Sequence, residues 1–464
     1  MQKTVRIIHT NDLHSHFENW PKIQRFVKER QQTRTDEAVI TVDLGDFMDR
    51  WHPLTEATDG QANIELMNRI HYDAVTIGNN EGIGNEKKIL NQLYRHANFE
   101  VVLANLIDKR TLLRPNWAKP YKKMTTDNGV TIGIIGLTAA FPLTYAPNGW
   151  DIRQEMEILP DLVQELRPDV DVLLLLSHLG IEADYRIANE MPAIDVIIGS
   201  HTHHLFENGE LVNGVQLAAA GKFGRYVGEV TLTLNEENSL INKSATTYAT
   251  ANMLEHPEDQ TKIEEWLAQG HRQLAAKELG YLPRTLKADP FAIEDSLIDV
   301  TLEALRQRGQ TEVAILNSGL FLADLPVGVV NQNQLHQILP HPMHIIRVTL
   351  MGSDLIRLVL EMEKNRSFLK KFPILGMGFR GKVFGHIRYL GLRYDAINHE
   401  VRWLNQVVKP DQSYSFTTVD HYLFIPFFPT IEIAGEVEFL FPEFIRTVLG
   451  KYVTRNFPLI LNES

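Results

Sequence analysis

The chain contains no cysteine. Disulfides, thiolate metal ligands and a cysteine nucleophile are therefore excluded, and a reducing compartment is compatible with the composition. It also lacks any apolar run of about 18 residues, the length a membrane-crossing helix needs, so no membrane span is expected. Positive charge is in deficit: 46 Lys and Arg face 58 Asp and Glu, a formal net charge of −12. A nucleic-acid partner is accordingly not expected. The opening Met1-Gln2-Lys3-Thr4-Val5-Arg6 has no basic stretch followed by an apolar one. No signal peptide is read there, and a cytoplasmic protein is the expectation if residue 1 is the natural start.

What is present is globular in composition, with 44% hydrophobic and 22% charged residues. At 464 residues the chain exceeds one ordinary core, so two or three domains are expected. Over 1–235, short Val- and Ile-rich runs alternate with helical stretches, which predicts an α/β fold with sheets covered on both faces. Helical spacing appears at 21–29 and 63–70, and 227–234 alternates like a closing strand. The polar stretch 258–278 places Ile263, Trp266, Leu267 and Leu274 on one face, the pattern of an amphipathic helix. The reading divides the chain into a first domain at 1–253, a helical connector at 254–284 and a second α/β domain at 285–464. In the last, helices are expected at 295–308 and 353–363. Strands are expected at 313–316, 345–350, 384–394, 401–404 and 413–418, with a flexible loop at 376–381.

Five apolar runs in the first domain end in residues able to bind metal. The run 5–8 leads to Asp12 and His14, 38–42 to Asp46, and 74–77 to Asn79. The run 172–176 leads to His178, and 196–198 to His201 and His203. Ligands gathered from the carboxyl ends of several strands are how α/β sheets build a site at one edge. Two divalent cations held by mixed carboxylate, amide and imidazole donors can polarise a phosphoryl group. Asp12 and His14 can reach one cation, and His201 and His203 can divide between two. Asp46, after Gly45, can bridge both and is preferred over Asp43. Two anionic ligands leave the pair of dications with surplus positive charge for a phosphate dianion. Of the remaining histidines, His9, His52, His71 and His96 read as solvated or capping.

The segment VRIIHTNDLHS at 5–15 resembles the first signature of the bacterial 5'-nucleotidase family of calcineurin-like metallophosphoesterases. YDAVTIGN at 72–79, Ser177-His178, Gly199 to His203 and AAGKFGRYVG at 219–228 are similar to its later motifs. The resemblance implies a four-layer αββα metallophosphoesterase sandwich, followed by a smaller α/β domain that grips nucleotide. It further implies that Asp12, His14, Asp46 and His203 hold one metal. Asp46, Asn79, His178 and His201 would hold the other.

Two departures qualify the resemblance. The family continues Gly-Asn-His-Glu-Phe-Asp, whereas this chain reads Gly78-Asn79-Asn80-Glu81-Gly82-Ile83. Asn80 replaces the histidine that meets the reacting phosphate, and Ile83 replaces the aspartate that orients it. Asn80 retains a neutral hydrogen-bond donor. Glu81, His16 and His204 are neighbouring groups that could supply a proton, and the sequence leaves the choice among them and solvent open. In the second domain, Asn317-Ser318-Gly319 begins like the family's Asn-x-Gly-Gly-Ile-Arg motif, but Leu322 stands where its arginine belongs. Arg347, Arg380 and Arg388 are possible substitutes. Asn317 and Gly319 are expected at the substrate. Base-stacking rings are sought among Phe379, Phe384, Tyr422 and Phe424, with Phe384 and Tyr422 preferred.

The expectation is a hydrolase with two divalent metal ions, Mn²⁺ suiting the donors best and Zn²⁺ or Fe also compatible. Its substrate would be a nucleotide or another small phosphate ester. The alternatives are a cyclic-nucleotide phosphodiesterase or nucleotide-sugar hydrolase of the same fold, or a nucleotide-binding protein that keeps the metals without catalysis.

Overall fold

The computed structural model describes residues 2–32, 37–374, 376 and 378–459. The chain divides into two compact units, Met1–Gly270 and His271–Ser464.

Two sheets form the middle of the first unit. The seven-stranded sheet runs Leu240–Ala249, Tyr226–Leu234, Lys3–Thr10, Glu37–Asp43, Ala74–Val75, Glu100–Val102, Ala118–Lys119. The six-stranded sheet runs Glu210–Val212, Val215–Ala218, Val196–Gly199, Val172–His178, Thr131–Thr138, Tyr121–Thr125. Val5, Ile7, Ile40 and Val42 of the first sheet pack with Ile132, Leu174 and Ile198 of the second in one fully buried cluster. The opposite faces are covered by helices. Trp20–Gln31 and Gln61–Met67 supply Trp20, Ile23 and Ile64 to the outer core of the first sheet. Glu155–Leu166 and Ile181–Glu190 supply Leu159 and Ile187 to that of the second. This is the αββα sandwich. All seven residues of Val172–His178 are buried, which is why that strand reads as an unbroken apolar run.

Parallel pairing aligns the strand ends. Thr4 faces Glu37 and Thr10 faces Asp43, so the loops after both strands leave the sheet side by side. Tyr226–Leu234 is not the closing strand: Leu240–Ala249 pairs antiparallel outside it. That edge strand, LINKSATTYA, is largely polar and partly exposed, so its apolar periodicity is too weak to reveal it.

The amphipathic stretch forms the helix Pro257–Ala275, and the boundary between the units falls within it. Trp266 enters the outer core of the first unit. Asp259 accepts two hydrogen bonds of 2.6 Å from Arg25 on the helix Trp20–Gln31. The guanidinium holds the Asp259 carboxyl down to about 2, below its usual 3.8. A depressed carboxyl stabilises the fold above its unfolded pKa, and the contribution disappears as pH falls through the folded value. Asp259→Asn is therefore expected to cost about 1–2 kcal/mol at pH 7. The difference from wild type should shrink between pH 4 and pH 2, as followed by urea unfolding at several pH values.

In the second unit a five-stranded sheet runs Ile387–Leu390, Val313–Asn317, Ser413–Val419, His344–Met351, Glu436–Phe444. The helices Leu297–Gly309, Gly352–Leu369 and Ile445–Asn456 pack with it in one continuous core. Ser296 caps the first of these by accepting from Asp299 N at 3.2 Å. The expected strand at 384–394 is interrupted. Gly391, at φ +77°, separates Ile387–Leu390 from Leu392–Asp395, and the two belong to different sheets. Met377 of the 376–381 loop lies outside the described residues. Among the described residues, no helix is long and apolar enough to cross a membrane.

Candidate metal centre

The strand ends of the first unit are tied together by backbone hydrogen bonds. Asp12 N donates to Gly45 O at 3.1 Å, His14 N to Asp46 O at 2.8 Å and Ser15 N to Phe47 O at 2.9 Å. These bonds force tight turns. Asp12, His14, Asp46, His201 and His203 all take left-handed backbone angles, with φ between 49° and 72°. Non-glycine residues seldom adopt that region, and such strain gathers at functional sites. Two glycines make room. A Cβ at Gly45 would collide with Gly78 N, and one at Gly78 would collide with the Asp46 carboxylate.

The side chains converge. Donor atoms of Asp12, His14 and His203 lie within 4.8 Å of one another, as do those of Asp12, Asp46 and His178. His14 Nε2 and His203 Nε2 are 3.1 Å apart. Asp46 Oδ2 lies 3.6 Å from His14 Nε2 and 3.5 Å from His178 Nε2. Asp12 Oδ1 lies 3.8 Å from His14 Nε2 and 3.7 Å from His203 Nε2. Asn79 Oδ1 and His201 Nδ1 meet at 2.9 Å. The geometry thus places Asp12, as well as Asp46, where a carboxylate could serve two cations.

The surroundings orient these donors. His178 Nδ1 donates to Leu44 O at 2.7 Å, which leaves Nε2 as the free lone pair. That Nε2 is buried and has no hydrogen-bond partner. A buried imidazole nitrogen without a partner, aimed at carboxylates, is what a ligand to a divalent cation looks like, so the donor set fits the metals. Asp12 Oδ2 accepts from Ser200 Oγ at 2.5 Å and Asn11 Nδ2 at 2.9 Å, which turns Oδ1 towards the histidines. Asp49 Oδ2 lies 3.5 Å from His14 Nδ1. Ser200 and Asp49 were not singled out from the sequence, although each stands within three residues of a candidate ligand.

The charges call for a cation. Burial pushes the Asp46 carboxyl up, but His178 and His14 overrule it and hold it well below its usual range. Burial likewise lowers His178, but Asp46 outweighs it, leaving the imidazole raised to about 9. A proton there and a metal compete for the same lone pair. His203 is lowered to about 4, by burial first and then by the charges of His14 and Lys222.

The other residues read from the sequence divide between the centre and its surroundings. Glu81 is buried, and its carboxylate accepts from Asp46 N at 2.8 Å, Gly78 N at 2.8 Å and Met48 N at 3.0 Å. It ties together the loops that carry Asp46 and Asn79. Burial first, then Asp46, raises it to about 7. Asn80 Nδ2 donates to Asp46 Oδ2 at 2.7 Å. Asp43 accepts from Thr10 Oγ1 at 2.6 Å and Gly45 N at 3.0 Å, so it closes a turn. His16 pairs with Glu18 at 2.7 Å, and His204 with Thr202 at 2.9 Å. His52 caps the helix Pro53–Ala57, as expected. His9 is neither solvated nor capping but fully buried, with no hydrogen-bond partner on either ring nitrogen.

The substrate residues expected in the second unit pack within it. Phe384 and Tyr422 are 0% exposed and pack with Phe428 in the core, so neither ring has a face for a base. Asn317 is equally buried and donates to Phe384 O at 2.6 Å. Gly319 sits where a Cβ would strike the backbone of Val383 and Phe384. In the structure these residues are held by packing and backbone contacts. Arg347 is engaged by Glu438, and Arg388 by both oxygens of Asp299 at 2.7 and 3.0 Å.

Comparison with known proteins places this geometry. Residues 5–205 match the model of the calcineurin-like phosphoesterases, and 279–424 match that of the 5'-nucleotidase C-terminal domain. The uncharacterized metallophosphoesterase YunD of Bacillus subtilis is 37% identical over 463 residues, covering 97% of this chain and 99% of its own. The 5'-nucleotidase of Bos taurus is 24% identical, covering 76% of this chain and 70% of its own. A putative 5'-nucleotidase from Staphylococcus aureus shares the fold, with a TM-score of 0.67 at 18% identity and 98% of each chain covered.

Proposed function

Since this chain belongs to the calcineurin-like phosphoesterases that carry a 5'-nucleotidase C-terminal domain, and is thus a metal-dependent phosphoester hydrolase, we propose that it releases phosphate from a nucleotide or a related small phosphate ester. The reading rests above all on the unpartnered His178 Nε2 facing Asp46 Oδ2 at 3.5 Å. We assign Asp12, His14, Asp46 and His203 to one cation, and Asp46, Asn79, His178 and His201 to the other. Mn²⁺ is the ion proposed, because the donors are carboxylate, amide and imidazole with no thiolate.

Bound there, divalent cations supply Lewis-acid polarisation of a phosphoryl oxygen and acidify water. The chain's own residues hold everything else in place. Leu44 O fixes the His178 tautomer, and Ser200 and Asn11 fix the rotation of the Asp12 carboxylate. Asn80, whose amide already reaches Asp46 Oδ2 at 2.7 Å, is positioned to donate to a phosphoryl oxygen during transfer. With Glu81 occupied by three backbone N–H groups, the leaving oxygen takes its proton from solvent. Asn80→Ala is expected to lower kcat about 10²-fold, the usual loss for one transition-state donor. KM should change much less, as steady-state phosphate release would record.

A second reading has its own support. Leu322 in place of the family's arginine, together with Asn80 in place of its histidine, weakens the case for a simple nucleoside monophosphate. It favours another ester on the same fold, such as a cyclic nucleotide or a nucleotide-sugar. Hydrolysis of a panel of all these esters, by protein reconstituted separately with Mn²⁺ and Zn²⁺ and followed both by phosphate release and by chromatography of the nucleotide and sugar-phosphate products, decides between them. Stoichiometric metal with no turnover on any ester would overturn both in favour of a binding role.

A further inference from the structure

The segment after the last strand of the six-stranded sheet has been given no contact with substrate so far, yet it is built against the candidate metal donors. Phe223 N donates to Asp12 O at 2.8 Å, which ties the segment to a ligand loop. Gly221, Phe223 and Gly224 take φ values of +69°, +64° and +60°. For a bulky residue such as Phe223 that backbone is strained, and the surrounding structure must impose it. The imposed turn carries the Phe223 ring to 5.8 Å from the His14 ring and 3.9 Å from the His16 ring. His16 in turn lies 4.8 Å from Trp51, whose Nε1 donates to His14 O at 2.7 Å.

Two cations stand on this ring row. Lys222 Nζ is 4.7 Å and the Arg225 guanidinium 5.6 Å from the Phe223 ring centre. Among the described residues neither side chain has a carboxylate partner. That is notable in a chain with a formal net charge of −12, where acids outnumber bases and most arginines described above are paired. A half-buried lysine left without an acid beside a phosphate-handling centre has positive charge to offer a ligand.

We propose that Lys222, backed by the Phe223 ring and assisted by Arg225, binds a second anionic group of the substrate, a phosphate or a carboxylate beyond the one that reacts. The preferred esters then carry two anionic groups, as nucleoside diphosphates do, rather than one. This deepens the hydrolase reading and rests on it for its substrate, but the binding geometry can be tested separately.

Calorimetry on the metal-reconstituted, full-length protein provides that test, with orthophosphate, methylenebisphosphonate and phosphonoacetate as probes. Lys222→Ala should weaken methylenebisphosphonate about tenfold more than orthophosphate, the worth of about one charged hydrogen bond. Lys222→Arg should restore most of the difference. The same extra loss for phosphonoacetate would support a general anion subsite, and a loss confined to the bisphosphonate would support a phosphate subsite. Equal losses for all three probes would overturn the proposal, since they would mean only a change in overall field. In turnover, the kcat/KM ratio between a nucleoside diphosphate and p-nitrophenyl phosphate should fall about tenfold in Lys222→Ala through KM. If wild type hydrolyses no ester, the hydrolase reading fails, while the binding ratios still decide the subsite.

Discussion

Asp46→Asn is expected to lower phosphate release by about 10³-fold or more while the protein still folds. The expectation comes from position. Asp46 Oδ2 is within 3.6 Å of imidazole nitrogens on two different strand-end loops. Asp46 Oδ1 accepts from Asn80 N at 2.8 Å, so one oxygen holds the backbone and the other faces the donors. Asparagine keeps the shape and can keep the backbone bond. It removes a full negative charge from a buried site whose remaining anionic donor is Asp12, and it places an N–H where an electron pair was needed. Metal content should therefore fall together with rate, as elemental analysis of the purified variant would reveal. Turnover within tenfold of wild type, with metal retained, would sink the assignment of Asp46 as a ligand common to both ions.

Glu81 carries the second large effect, and the outcome separates two roles. As a clamp, it satisfies three buried backbone N–H groups on the loops that carry Asp46 and Asn79. Glu81→Ala leaves those donors without an acceptor, and leaving a buried donor unpaired costs about 1–3 kcal/mol each. Some of the loss is recovered by water, so about 3–5 kcal/mol is expected for the domain. Glu81→Gln keeps one good acceptor oxygen and should cost about half as much. In both variants metal affinity and rate should fall in step with stability, because the ligand loops lose their common anchor. A general acid behaves differently: Glu81→Gln would then lose rate with an unchanged melting temperature and unchanged metal content, and that result would restore Glu81 as a proton donor.

The strand ends carrying Asp12, His14, Asp46, Asn79, His178, His201 and His203 were legible because each is announced locally. A buried parallel strand must be apolar throughout, and the residue types change abruptly where it ends. The edge strand Leu240–Ala249 escaped because an exposed edge needs no apolar period. The packing of Phe384 and Tyr422 was hidden in the sequence for a related reason: an aromatic ring in a motif looks the same whether it faces a ligand or fills a core. Only the surrounding packing, Phe428 against Tyr422 at 5.4 Å for instance, tells the two apart.

From the sequence alone came the fold class and the candidate metal donors, readable from residue types at the strand ends, and, through the family resemblance, the missing pair at Asn80 and Ile83. Tertiary structure alone decided which donors share a point in space. It set Ser200 on Asp12 across 188 residues of chain, turned Glu81 back onto Asp46 N, and drew Phe223 and its two cations beside His14. Those arrangements depend on left-handed turns and on hydrogen bonds between distant loops. Neither leaves a periodic trace in a one-dimensional pattern, because the energy that imposes them comes from the closed sandwich as a whole.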